Sequence, residues 1–202
     1  MTEPSQSSDQ DPILHPTLIV VSGQAGSGKT TLAHRLADRI GCPAICRDEI
    51  KEGMVLSHGP GFRAAVSDPL TARTYPLFFD TLRLLLEGGV TVVGEAAFQH
   101  TLWSRGLQPL REPAELRIVR CRAEDRVMLQ RRRDRSATVA TRAAHFDSGT
   151  LLTVDPDWDP IHLDAPTLDV DTSDGYSPGL AEIAAFAVGD RWSAGMNPDT
   201  PE

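Results

Sequence analysis

This sequence predicts a three-layer α/β/α fold around a mostly parallel sheet of five strands. Three observations carry that reading. Short β-branched runs lack polar alternation, as strands covered on both faces do. Amphipathic stretches alternate with them along the chain. A glycine-rich turn joins the first strand directly to the first helix. The 202 residues suit one such domain, expected over 17–189. Residues 1–16, rich in Ser, Pro and Gln, are expected to form a disordered tail, and 190–202 a C-terminal tail.

Thr17–Ser22 (TLIVVS) predicts the first buried strand. In Lys29–Ile40, Leu32, Leu36 and Ile40 recur at steps of four with Ala33 and Ala37 beside them, which predicts an amphipathic helix. Gly41 ends that helix and Pro43 follows. Ala44–Cys46 predicts a short second strand, with a helical turn starting near Asp48. Residues 57–67 (SHGPGFRAAVS) predict a loop or lid. A long helix over 70–86 should turn Leu77, Phe78, Leu82, Leu85 and Leu86 inward and stop at Gly88-Gly89. Residues 90–94 are the expected third strand, 116–121 the fourth and 168–170 the fifth. Helices are expected over 124–135 and Leu180–Val188.

Twenty basic residues against 28 acidic ones leave a net charge of −8, which speaks against a general nucleic-acid binder. The distribution is uneven. Residues 120–142 hold eight arginines against Glu124, Asp125 and Asp134, whereas 143–202 hold twelve acids against Arg191 alone. Lys29 and Lys51 are the only lysines. A dense arginine segment in an anionic chain reads either as a solvated helix face or as a contact for something small and negative. Cys42, Cys46 and Cys121 match neither a disulfide framework nor a standard zinc spacing. Residues 1–16 lack the basic start and apolar core of a secretory signal, and no run approaches the ~18 apolar residues of a membrane span. The expectation is a reduced, soluble, cytoplasmic protein; the sequence specifies no oligomeric state.

Residues 23–30, Gly23-Gln24-Ala25-Gly26-Ser27-Gly28-Lys29-Thr30, fit G-x-x-x-x-G-K-[ST] between a strand and a helix. Gly23, Gly26 and Gly28 let successive backbone N–H groups turn inward as an anion nest at a helix N-terminus. Lys29 adds a point charge for the β- and γ-phosphates, and the Thr30 hydroxyl offers a ligand to Mg²⁺. With Thr31, this block is the expected nucleotide-binding segment, and ATP and Mg²⁺ are the expected cofactors. A GTPase would need a guanine-reading N-K-x-D, which two lysines at 29 and 51 do not provide. A motor or AAA-type ATPase would show four apolar residues followed by paired acids. Here the third strand leads into Gly94-Glu95-Ala96-Ala97-Phe98. Compact size and an acid soon after the first helix favour a kinase.

Asp48 falls just past the second strand, on the edge of the sheet where ligands bind. A kinase acting on a hydroxyl gains from a carboxylate that accepts its proton, so Asp48 is the candidate base; Asp is also a favoured helix N-cap. Glu49 and Glu52 read as solvated face. Glu95, at the corresponding edge of the third strand, reads either as a Mg²⁺ or substrate contact or as a structural hydrogen-bond partner. Arginine neutralises charge on transferring phosphate without losing its own proton. Arg131 and Arg135, four apart on one helix face, are assigned to the phosphates, while Arg126, Arg132 and Arg133 read as solubilising or paired with Asp134 and the acidic tail. Arg142 and His145 are candidates for facing substrate.

With the phosphate cradle, Arg47-Asp48-Glu49-Ile50, Glu95-Ala96-Ala97-Phe98 and the arginine helix in that order, residues 17–188 resemble a family of P-loop kinases. That family groups polynucleotide 5′-kinase, zeta-type toxins and chloramphenicol phosphotransferase. More closely, the chain resembles bacterial AAA-family ATP-binding proteins of this size described as predicted kinases. The resemblance implies a P-loop NTPase fold with a sheet of nucleoside-kinase type and an arginine-rich lid over about 122–148. It implies Asp48 as base and Arg131 and Arg135 on the phosphates. It also places Thr172, Ser173 and Tyr176 near adenine.

The expected activity is transfer of the γ-phosphate of ATP to a hydroxyl of a small-molecule acceptor. Phe62, Arg63, Arg73, Phe98 and Trp103 are acceptor-side candidates, each also readable as core or surface. Two alternatives stand beside it: a polynucleotide or RNA-end kinase, and a non-catalytic ATP-binding regulatory protein.

Overall fold

Thr17–Ser22 (β1) occupies the centre of the sheet, hydrogen-bonded in parallel to Val92–Ala96 (β3) on one side and to Glu115–Arg122 (β4) on the other. Ala44–Cys46 (β2) adds outside β3, and Thr167–Asp171 (β5) outside β4, giving the order β2-β3-β1-β4-β5 with every pairing parallel. The structure is a computed structural model that describes residues 15–59, 62, 69–138 and 153–189. Residues 1–14 of the expected N-terminal tail, the expected C-terminal tail, positions 139–148 of the expected lid with Arg142 and His145, and Arg63 lie outside the described residues, as does most of the expected 57–67 loop.

Side-chain alternation on β1 feeds two cores. Ile19 and Val21 face one layer, made by Lys29–Ile40 (α1) and Leu180–Val188 (α6), where Leu32, Leu36, Ala37, Ile183 and Ala187 are buried. Leu18 and Val20 face the other, made by Pro69–Glu87 (α3) and His100–Leu107 (α4). There Tyr75, Phe78, Phe79, Phe98 and Trp103 pack with ring centroids 5.1–6.0 Å apart, mostly edge to face. Arg47–His58 (α2) leaves β2 without a loop, and Asp125–Thr138 (α5) follows β4.

Several boundaries differ from the sequence reading. The third strand begins at Val92 rather than Val90, because the Val90 N–H still donates to Leu85 O in the turn closing α3. It therefore runs on through Glu95 and Ala96. Within α3 the inward set is Leu70, Thr74, Phe78, Phe79, Leu82 and Leu86, with Leu85 half-buried, whereas Leu77 is 42% exposed. The turn expected near Asp48 is a full three-turn helix that takes in Ser57 and His58. The sequence reading assigned no helix at α4, whose eight residues include Gly106. That glycine has a packing reason: a Cβ there would collide with the Phe79 ring.

Candidate functional site

The turn between β1 and α1 closes at the carboxyl edge of the sheet. Gly28 caps α1 with φ 77°, and the first helical turn carries no acidic residue, so its N–H groups face a site of positive potential. Gly26, at φ 90°, lies directly against α5, and a Cβ there would collide with the Met128 carbonyl. Glycine is needed at this position both for its backbone angle and for its lack of bulk.

Lys29, 5% exposed, extends from this turn toward β3, and its Nζ lies 3.5 Å from Glu95 Oε1. The Thr30 hydroxyl donates to Glu95 Oε2 at 3.0 Å. Glu95 is 2% exposed and is in register with Val21 on β1 and Cys46 on β2. Burial raises its pKa above the ordinary glutamate value, the Asp48 charge adds to the rise, and Lys29 and Thr30 oppose it. The register explains the arrangement: β3 pairs directly with β1, so its carboxylate meets the residues that begin α1.

Asp48 stands in the first turn of α2, two residues beyond the Cys46 position paired with Glu95. Its carboxylate is 45% exposed and accepts from Arg47 Nη1 at 2.9 Å. Lys51, one turn further on, is only 3% exposed. The sequence reading gave this lysine no role. Its signal was present: a lysine three residues after Asp48, in a chain with two lysines, falls on the same helical face as that acid.

A cavity of about 430 Å³ adjoins the turn, lined among others by Lys29, Thr31, Arg35, Arg131, Arg135 and Tyr176. Asp48 does not line it. Thr172 forms one wall: its hydroxyl donates to Ser27 O at 2.7 Å, and Arg131 donates to both Thr172 Oγ1 and Thr172 O. Arg131 Nη1 also reaches Gly26 O at 3.5 Å. Arg131 thus ties α5, the glycine turn and the segment after β5 together. Arg35, another residue without an expected role, sits with its guanidinium 5.8 Å from the Tyr176 ring centroid.

Other candidates have different surroundings. The Ser173 hydroxyl accepts from the Glu124 N–H at 2.9 Å. Trp103 is wholly buried and donates to Ser22 Oγ, and Phe98 is 9% exposed, so both take the core reading the sequence also allows. Arg126 pairs with Glu124, and Asp134 accepts from Gln130 Nε2. Arg132 donates to the Thr153 carbonyl at 2.8 Å. Gln24 Nε2 donates to Asp155 O, so the glycine turn and α5 both grip the same returning segment.

The family model for the AAA domain matches residues 18–151. Among solved structures, a candidate kinase from Chloroflexus aurantiacus J-10-fl is 28% identical, with TM-score 0.74, covering 84% of this chain and 95% of that one. The APS kinase CysC of Mycobacterium tuberculosis, solved with AMPPNP and APS, gives TM-score 0.62 at 14% identity, covering 87% and 99%. A sugar kinase from Janibacter sp. HTCC2649 gives 0.57 at 19% identity, covering 86% and 94%. No curated protein matches the chain. The last two likenesses concern the fold, a P-loop NTPase fold of kinase type.

Proposed function

The chain belongs to the AAA domain family on a kinase-like P-loop fold, and from that premise we propose that it transfers the γ-phosphate of ATP to a hydroxyl of a small molecule. One observation carries the reading: a glycine turn, Lys29, Thr30 and a buried strand carboxylate converge, with a second carboxylate, Asp48, just beyond β2. The backbone N–H groups and Lys29 bind the phosphate chain. Arg131 and Arg135 supply further positive charge from α5, and Thr172 with Tyr176 borders the nucleoside side of the cavity.

Thr30 Oγ1 and the Glu95 carboxylate are hard oxygen donors 3.0 Å apart, the donor type that suits Mg²⁺. When bound there, Mg²⁺ supplies charge neutralisation on the transferring phosphoryl group. Asp48 accepts the proton of the acceptor hydroxyl as its oxygen bonds to the γ-phosphorus and the bond to ADP breaks. The exposure of Asp48 outside the nucleotide cavity suits this role, because the acceptor must approach the γ-phosphate from the opposite side.

The test is ADP release from purified protein with Mg²⁺ and ATP across nucleosides, sugars and hydroxylated antibiotics. Acceptor-dependent release confirmed by a phosphorylated product is the expected result. Tight ATP binding without transfer to any acceptor overturns it in favour of a regulatory ATP-binding protein. The net charge of −8 places an oligonucleotide 5′-end second among acceptors, and end-labelling from γ-labelled ATP separates that case.

A further inference from the structure

On the α1 side of β2, three side chains from separate elements converge outside the nucleotide cavity. His34 extends from the second turn of α1, Cys46 ends β2, and Glu49 lies in the first turn of α2. Cys46 Sγ is 3.6 Å from His34 Nε2, His34 Nε2 is 2.6 Å from Glu49 Oε1, and all three ligand atoms fall within 4.8 Å of one another. We propose that His34, Cys46 and Glu49 form a binding site for a thiophilic divalent cation of the zinc type.

The donor set selects that class of ion. One thiolate, one imidazole and one carboxylate suit Zn²⁺, whereas Mg²⁺ takes oxygen ligands alone. With ordinary Zn–S and Zn–N bond lengths, a tetrahedral site separates sulfur and nitrogen by about 3.6 Å, which is the spacing already present. The His–Glu pair must open by about 0.8 Å to reach the corresponding N···O edge. Both side chains are about half exposed, at 48% and 47%, so they are free to move. A thiolate and a carboxylate balance the ion's two charges, and water completes the fourth position. An ordinary ion pair between α1 and α2 would need only His34 and Glu49; the sulfur beside the imidazole is what makes the trio a ligand set.

Binding is an acid–base event without electron transfer. The S–H bond of Cys46 breaks, the sulfur bonds to zinc, the proton goes to solvent, and zinc sheds water. Burial and nearby carboxylates keep the free thiol protonated, so the proton release is measurable. The bound ion would join α1, which begins at the phosphate-binding lysine, to the turn of α2 that carries Asp48.

The experiment is calorimetric titration of Zn²⁺ into reduced, chelator-treated full-length protein, in two buffers of different ionisation enthalpy and in excess Mg²⁺. One equivalent should bind with release of about one proton, and Mg²⁺ should not displace it. Cys46→Ser, His34→Gln and Glu49→Gln should each weaken binding at least about tenfold, while Cys42→Ser should leave it unchanged. Zinc should also shield Cys46 from alkylation. His34 and Glu49 are exposed, so their variants remain folded whatever becomes of Cys46→Ser. Unaltered affinity in His34→Gln and Glu49→Gln, or zinc displaced by Mg²⁺, would overturn the proposal. Neither outcome bears on the kinase reading, which acceptor-dependent turnover tests separately.

Discussion

Lys29 and Glu95 form an ion pair in which each side chain is at least 94% buried, with Nζ 3.5 Å from Oε1. Removing one member of such a pair strands the other charge in a low dielectric. Lys29→Met should therefore abolish nucleotide-dependent thermal stabilisation and also destabilise the ligand-free protein, by about 3 kcal/mol at alkaline pH. The penalty should shrink in acid, where the unpaired Glu95 takes a proton. Denaturant titrations at both pH values check this, and an equal penalty at both would count against a charged Glu95.

Glu95 itself has a pKa raised by burial. A carboxyl raised in the folded state contributes stability below its unfolded value, near 4.3, and that contribution is lost as pH rises through the folded value. Wild type should lose more stability than Glu95→Gln over that window. Because a cation needs the deprotonated form, Mg²⁺ binding to the ligand-free protein should weaken on acidification and release a proton at pH values below the raised Glu95 value. Mg²⁺ affinity that is the same in wild type and Glu95→Gln would remove Glu95 from the cation site.

Asp48 carries a different expectation, because it lies outside the cavity that Lys29 lines. Asp48→Asn should lower kcat by about 10²–10⁴ with ATP affinity changed little. Rates measured at saturating ATP, beside ATP titrations of the same variant, separate the two effects. Undiminished kcat would mean that another group takes the proton.

Arg131 donates to Thr172 Oγ1, Thr172 O and Gly26 O from one planar fork. Lysine has a single ammonium and cannot span those acceptors. Both Arg131→Lys and Arg131→Ala should thus cost about 1–3 kcal/mol in stability and raise KM for ATP more than they lower kcat. Full function in the lysine variant would reduce Arg131 to a source of charge.

Gly106→Ala should destabilise the fold by about 1–3 kcal/mol, because the added methyl meets the Phe79 ring. A second change, Phe79→Leu, should recover part of that loss, read from the midpoint of thermal unfolding.

The outcome at Gly106 also shows where sequence reading succeeds and where it stops. The β1 run, the α1 periodicity and the Gly23–Thr30 spacing are local patterns, and each appears in the structure at the expected residues. The sequence reading assigns nothing to His100–Leu107, a helix of only eight residues whose Gly106 is accounted for by the Phe79 ring facing it, a tertiary contact. Glu95 was placed at the correct edge, yet its burial and its contacts with Lys29 and Thr30 depend on β3 lying beside β1. That pairing joins residues more than 60 positions apart. Lys51 and Arg35 are comparable cases. Their identities were plain, but the burial of one and the ring beside the other come from tertiary packing.

The backbone ladder between β1 and β3 has a further consequence. Val21 and Glu95 are held opposite each other by parallel strand pairing, so between the acid and the start of α1 only the Gly23–Gly28 turn intervenes. Under the proposed function, changes in loops other than the Gly23–Gly28 turn would alter the acceptor side while leaving the strand-held Glu95 in place. A scaffold divided in this way would let the acceptor side be re-engineered while the sheet keeps Glu95 in place.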